Sequence, residues 1–163
     1  MSENFGFTSA IEESLRVGQE RLATKDRINE ILKTFADDLQ KILSDDSKQE
    51  IFVQKRHIVI RKKLSKLAAI AVIGLEDPPI EEEYDAICLF DKSTYDNPFV
   101  VFRYEIDPVM GFPCRIQYDS SSLSCKEEET LTSTIIEAVK YKGLAISEKI
   151  RELENNSNQQ EKK

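Results

Sequence analysis

Acidic side chains on two neighbouring predicted strands are the residues of this chain with the clearest potential for chemistry. Glu105 and Asp107 stand two positions apart, so their side chains lie on one side of a strand. Asp85 or Asp91, at the preceding predicted strand, could supply a further acid. Carboxylate oxygens in such a cluster can bind Mg²⁺ and position a water molecule for hydrolysis.

This arrangement resembles the core of metal-dependent nucleases, in which an aspartate and a Glu-x-Lys pair surround the metal. The chain departs from that pattern because Asp107 occupies the position of the lysine and Pro108 follows it at once. The polarising cation of the nuclease site is therefore missing. We favour the alternative, in which Glu105 and Asp107 form the outer side of a strand that runs into an Asp-Pro turn. A divergent nuclease stays the weaker hypothesis, and we expect no enzyme, no metal and no cofactor.

The short motifs of common enzyme classes are absent. The sequence has no G-x-S-x-G, no phosphate-binding loop, no G-x-G-x-x-G and no H-E-x-x-H. His57 is the only histidine, so no second imidazole can share a metal with it. These absences favour a binding protein over an enzyme.

Cys114 and Cys125 become cross-strand neighbours if a turn at residues 119–120 joins two strands. A disulfide or redox switch would follow, but no basic neighbourhood is present to generate a reactive thiolate. We therefore expect two small buried side chains. A capping box formed by Ser124 and Glu127 is the competing hypothesis, because it would place Cys125 on a helix.

Two runs of opposite charge are the clearest surface signal. Residues 55–66 carry only basic charges, and residues 76–85 carry only acidic ones. The candidate partner-binding residues are Lys55, Arg56, Arg61, Lys62, Lys63, Lys66, Glu76, Asp77, Glu81, Glu82 and Glu83. If residues 67–75 form one strand, the runs lie about 30 Å apart at its two ends. The two charged poles would then steer a partner protein, or would merely keep the sheet ends from aggregating.

Nucleic-acid binding through the basic residues 55–66 is the alternative function. The net charge of −7 and the pI near 4.9 oppose it, because an acidic surface repels phosphate groups. Aromatic side chains that stack on bases are also not interleaved with the basic residues; only Phe52 is near. We therefore rank nucleic acid second to a protein partner.

The length and composition limit the domain organisation and the compartment that we expect. The 163 residues suit one domain, residues 1–154, followed by a polar tail, residues 155–163, that we expect to be disordered. Three cysteines and the lack of an N-terminal apolar run favour a reducing, cytoplasmic location. The longest apolar run, residues 67–73, is too short to cross a membrane.

The hydrophobic pattern predicts an α+β fold with a long N-terminal helix, an antiparallel sheet of about five strands and two C-terminal helices. The first helix covers residues 8–43, with a kink or a split within residues 18–26. Strands are predicted at residues 51–61, 67–75, 84–90, 99–106 and 114–118, with a helix as the alternative for residues 67–75. The last helices are predicted at residues 126–141 and 147–153, separated at Gly143.

The N-terminal helix is longer than the sheet requires. Ile11, Leu15 and Leu22 recur on one side, whereas a second apolar set begins at Ile28 in a different register. Part of the helix can therefore pack on another chain, which predicts a homodimer or an accessory subunit; the alternative is a bend that covers its own sheet.

This layout of a small acidic protein is similar to that of secretion chaperones, immunity proteins and phage-encoded inhibitors. We expect a cytoplasmic, non-enzymatic protein-interaction module that binds another protein and no membrane.

Overall fold

The computed structural model describes residues 6–46, 50–61 and 79–160, which form a helix, five strands and a second helix. The elements are α1 (Phe7–Asp46), β1 (Phe52–Arg61), β2 (Ile80–Phe90), β3 (Phe99–Asp107), β4 (Gly111–Tyr118), β5 (Ser121–Cys125) and α2 (Glu128–Gln160). The strands form one antiparallel sheet in the order β1-β2-β3-β4-β5. The predicted α+β fold with a five-stranded antiparallel sheet is confirmed. The strand predicted at residues 67–75, like its helical alternative, lies outside the described residues.

Helix α1 is a single element of 40 residues, about 60 Å long at 1.5 Å per residue. Residues 18–26, where the sequence predicted a kink or a split, lie inside it, so two separate helices do not form. Its second half packs on the sheet through Ile28 and Leu32, which are fully buried. That burial stabilises the second half, since a helix in water owes most of its stability to such packing.

Helix α2 is also one element, and the prediction of two C-terminal helices is wrong. Gly143, expected to end the first of them, lies in the middle of the helix. Ile146 and Leu153 are buried in the main core, and their packing outweighs the roughly 1 kcal/mol that a glycine costs within a helix. The helix runs to Gln160 and so includes residues 155–160, for which a disordered tail was expected.

Both helices pack on one face of the sheet, which we call the helix face. Buried side chains from both helices and from the middle strands form the main core there, including Leu131, Ile135, Ile87, Phe102 and Ile116. A smaller cluster of Ala86, Cys88 and Phe90 lies on the opposite, outer face. A bulge between Ile87 and Cys88 in the β2–β3 register places Val100 against this outer cluster.

The β4–β5 hairpin fixes the start of α2. Cys114 lies opposite Cys125, and Ile116 lies opposite Leu123, as the predicted turn required. Ser124 pairs with β4 rather than capping a helix, so the predicted capping box is wrong. Helix α2 instead begins at Glu128, and the Thr130 hydroxyl accepts a hydrogen bond from the Glu127 N–H.

Candidate interaction surface

The two charged runs meet on adjacent strands. In the antiparallel register of β1 and β2, His57 lies opposite Asp85 and Arg61 lies opposite Ile80. The described parts of both runs therefore share one end of the sheet. The predicted separation into two poles about 30 Å apart is wrong for these residues, because the chain returns alongside β1 instead of continuing away from it.

Basic side chains of β1 have partners within the molecule. His57 Nδ1 lies 2.9 Å from Asp85 Oδ1, and its Nε2 lies 3.8 Å from Glu83 Oε2. Lys55 Nζ donates a hydrogen bond of 3.0 Å to Asn29 Oδ1 on α1. Acids of β2 thus stand beside the described part of the basic run, which weakens its attraction for phosphate groups.

Two arginines cover the apolar cluster on the outer face. The Arg56 guanidinium carbon lies 4.2 Å from the centre of the Tyr95 ring, and that of Arg103 lies 3.7 Å from the centre of the Tyr84 ring. Arg103 also donates a hydrogen bond to Glu82. Two candidate partner-binding residues are thus held in structural interactions, Arg56 by its cation–π contact and Glu82 by the hydrogen bond from Arg103.

The candidate residues divide into two groups. Lys55, Arg56, Arg61, Glu81, Glu82 and Glu83 lie on β1 and β2, and Lys62, Lys63, Lys66, Glu76 and Asp77 lie outside the described residues. Their role in binding a partner stays a prediction. Arg103 and Tyr95, which sequence reasoning did not single out, complete the charged surface around Arg56; no short sequence pattern marks such contacts between strands and loops.

The first half of α1 extends beyond the sheet. Lys25 donates a hydrogen bond to the carbonyl of Pro108 in the β3–β4 turn, and Thr24 packs against Gly111 in the same turn. Because α1 passes from this turn towards the start of β1, where Gln40 contacts Ile51, the residues before Thr24 lie past the sheet. None of residues 6–27 is buried by the part of the chain that the structure describes.

Three large apolar side chains share one side of this protruding segment. Ile11, Leu15 and Leu22 are 58%, 63% and 60% exposed, and their spacing of four and seven residues places them on one helical face. We call these three residues the α1 stripe. The sequence signal for it was the change of register at Ile28, since the buried face of α1 follows the second apolar set and not the first.

The acids that could have formed a metal site have structural roles. Glu105 accepts a hydrogen bond of 3.1 Å from Arg115. Asp107 accepts hydrogen bonds from the backbone N–H groups of Met110 and Val109, at 2.6 and 2.9 Å, and these bonds lower the pKa of its carboxyl group. Over residues 6–46, 50–61 and 79–160, no group of three or more histidine, cysteine or acidic side chains is placed to hold a metal ion.

Asp91 organises the loop between β2 and β3. Its burial acts to raise the pKa of the carboxyl group, but hydrogen bonds from Ser93 and Thr94 outweigh that effect and lower it. The side-chain hydroxyls donate at 2.7 and 2.9 Å, and the Thr94 N–H donates at 2.8 Å. This loop carries Tyr95, so Asp91 helps to position the aromatic ring on which Arg56 lies.

A cleft of about 340 Å³ opens where β3 and β4 diverge. Their pairing stops at Arg103 and Gln117, and the cleft reaches Lys142 of α2. Lys142 donates a hydrogen bond to Asp119, and this bond lowers the pKa of the Asp119 carboxyl group. Arg103, which also lines the cleft, is paired with Glu82, so both cations at the cleft are already paired and leave less charge to attract an anionic ligand.

No protein-family model, no curated protein and no solved structure matches this chain. In the part of the chain that the structure describes, neither helix is long and apolar enough to cross a membrane.

Proposed function

We propose that this protein is a non-enzymatic interaction module that binds another protein through the first half of α1. The α1 stripe is the observation that carries this proposal. It presents three large apolar side chains on a helix that extends past its own sheet. Fully burying one such side chain contributes roughly 1.5–3 kcal/mol, so a partner gains several kcal/mol by covering the stripe.

The length of the segment supports the same conclusion. About 17 residues of helix, 7–23, precede the contact with the β3–β4 turn. Most helical stability in proteins comes from the packing of an apolar face, which the described sheet does not provide for this segment. Packing of the stripe on a partner would supply the tertiary contacts that the described part of the sheet does not give it.

The proposal includes two further statements: the protein has no catalytic activity, and it is located in the cytoplasm. Of the acids considered for a metal site, Glu105 binds Arg115 and Asp107 binds the backbone of the β3–β4 turn. These structural roles favour binding over catalysis. All three cysteines are unpaired thiols, a state typical of the reducing cytoplasm. The charged residues of β1 and β2 would orient the partner, although most of those described are already held by neighbours.

Site-specific photo-crosslinking in cells tests the proposal. The photoreactive residue p-benzoylphenylalanine replaces Leu15 in the full-length protein, and a matched protein carries it at Glu148, an exposed polar position on α2. We expect a discrete protein adduct from position 15 and none from position 148. Mass spectrometry of the adduct then shows whether the partner is a different protein or, as a homodimer through this helix requires, a second copy.

The result that would overturn the proposal is equally specific. If position 15 yields no adduct, or the same adducts as position 148, the stripe is not a protein-binding surface.

A further inference from the structure

The two edge strands of the sheet differ in their protection. An exposed edge presents unpaired N–H and C=O groups, and folded proteins commonly place charges on it or cover it. The ten residues of β1 carry only basic charges. The side-chain amide of Gln40 also covers the start of β1, accepting a hydrogen bond of 2.6 Å from the Val53 N–H and donating one of 2.6 Å to the Ile51 carbonyl.

The opposite edge, β5, lacks both forms of protection. Its five residues carry no charge, and residues 121–124 are exposed. In the whole β4–β5 hairpin, Arg115 and Asp119 are the only charged residues, so its formal charge is zero. Within a protein of net charge −7, the hairpin is a surface on which two copies can approach without strong like-charge repulsion. Over the described residues, no strand pairs with the outer side of β5.

The turn of the hairpin defines which backbone groups face outward. Residues 119–120 form a two-residue connection, and Asp119 has a positive φ of +48°, as the first central residue of the favoured two-residue hairpin turns does. In such a hairpin the flanking residues, Tyr118 and Ser121, form a hydrogen-bonded pair. Alternation along the strand then directs the N–H and C=O groups of Ser122 and Ser124 away from β4.

We propose that a second copy of this chain pairs with this edge in the antiparallel direction, with the two-fold axis at Leu123. Ser122 of each copy then lies opposite Ser124 of the other, and each such pair exchanges two backbone hydrogen bonds. Leu123, 38% exposed in the single chain, faces its own counterpart as a non-hydrogen-bonded pair. Side chains approach most closely in such pairs, so the two leucines bury each other.

Disulfide trapping tests the position of the axis. Leu123→Cys in the full-length protein, treated with a mild oxidant, is expected to give a covalent dimer of twice 18.7 kDa that reductant reverses. Val109→Cys is the matched control, because Val109 is 58% exposed and lies on the β3–β4 turn away from the proposed axis. We expect at least about tenfold more linked dimer from Leu123→Cys, since a disulfide requires Cβ atoms about 3.8 Å apart.

The native cysteines are buried and so do not compete in this assay. Light scattering supplies the second measurement: the unmodified protein is expected to be a dimer and Leu123→Lys a monomer with an unchanged circular dichroism spectrum. A monomeric unmodified protein, or equal linking by the two cysteine variants, overturns the inference. Neither result overturns the proposal for α1, because a different protein can still bind there and crosslinks from position 15 report on a different surface; a monomeric protein would exclude only a second copy as its partner.

Discussion

Cys114 of β4 lies directly opposite Cys125 of β5, and both are buried free thiols. Burial, with smaller contributions from Cys125 and Glu105, raises the pKa of the Cys114 thiol to about 12. Two adjacent cysteines thus form part of the core and do not make a reactive pair. The nucleophile in thiol chemistry is the thiolate, and a thiol with this pKa is almost entirely protonated at pH 8.

All three cysteines are expected to be unreactive towards a thiol reagent in the native protein. Burial raises the pKa of Cys88 to about 11, and all three side chains are buried. Reaction with Ellman's reagent should release three equivalents of chromophore only after unfolding in denaturant. Rapid release of one equivalent from the native protein would contradict this, and Val109→Cys serves as the positive control.

Gly111 and Gly143 are expected to respond in opposite directions to replacement by alanine. Gly111 has a φ of +85°, and an added Cβ would lie 3.0 Å from the Thr24 methyl group. Gly111→Ala should lower the free energy of unfolding by about 1–3 kcal/mol. Gly143 lies within α2 with open space around it, so Gly143→Ala should raise the free energy of unfolding by about 0.5–1 kcal/mol.

Urea denaturation of the two glycine variants measures both changes. Equal effects of the two substitutions would show that the β3–β4 turn does not require the left-handed backbone or the close approach of α1.

The hairpin that brings Cys114 and Cys125 together was predictable, because local turn signals and alternation determine its register. The end of α2 was not, since Gly143 is a helix stop by local preference and only burial of Ile146 and Leu153 carries the helix past it. The placement of the charged runs depended on a pairing between Arg61 and Ile80 across nearly twenty residues, which no local pattern specifies.

The α1 stripe was predictable from the sequence only in part. Ile11, Leu15 and Leu22 are evident as an apolar set, but the exposure of that set depends on where the β3–β4 turn meets α1. Local sequence does not encode that distant contact.

Asp107 is expected to stabilise the protein at neutral pH and less so in acid. Backbone hydrogen bonds from Met110 and Val109 lower the pKa of its carboxyl group below the ordinary 3.8. A lowered folded-state pKa contributes stability that is fully present above the unfolded-state pKa and is lost as the pH falls through the folded-state value. The difference in unfolding free energy between the unmodified protein and Asp107→Ala should therefore shrink below about pH 4.

Denaturant titrations between pH 7 and pH 3 check this dependence. Asp96→Ala, at an exposed position in the β2–β3 loop, is the control. If the difference in unfolding free energy between the unmodified protein and Asp107→Ala stays constant over this range, the turn does not stabilise the charged carboxylate.

The α1 stripe is expected to matter little for folding of the isolated chain. Ile11→Asp combined with Leu22→Asp should change the free energy of unfolding by only about 1 kcal/mol, because both side chains are largely exposed. Leu32→Ala, on the buried half of the same helix, should cost about 2–5 kcal/mol. Thermal and urea unfolding compare the two; a large loss from the double variant would assign the stripe to the core.

The most direct test of the central claim combines the stripe variants with the crosslinker. The protein carrying p-benzoylphenylalanine at position 15 is irradiated in cells with and without Ile11→Asp and Leu22→Asp, and adducts are compared at equal amounts of folded protein. We predict that the adduct disappears in the double variant, whereas adducts of undiminished yield would contradict docking through the α1 stripe.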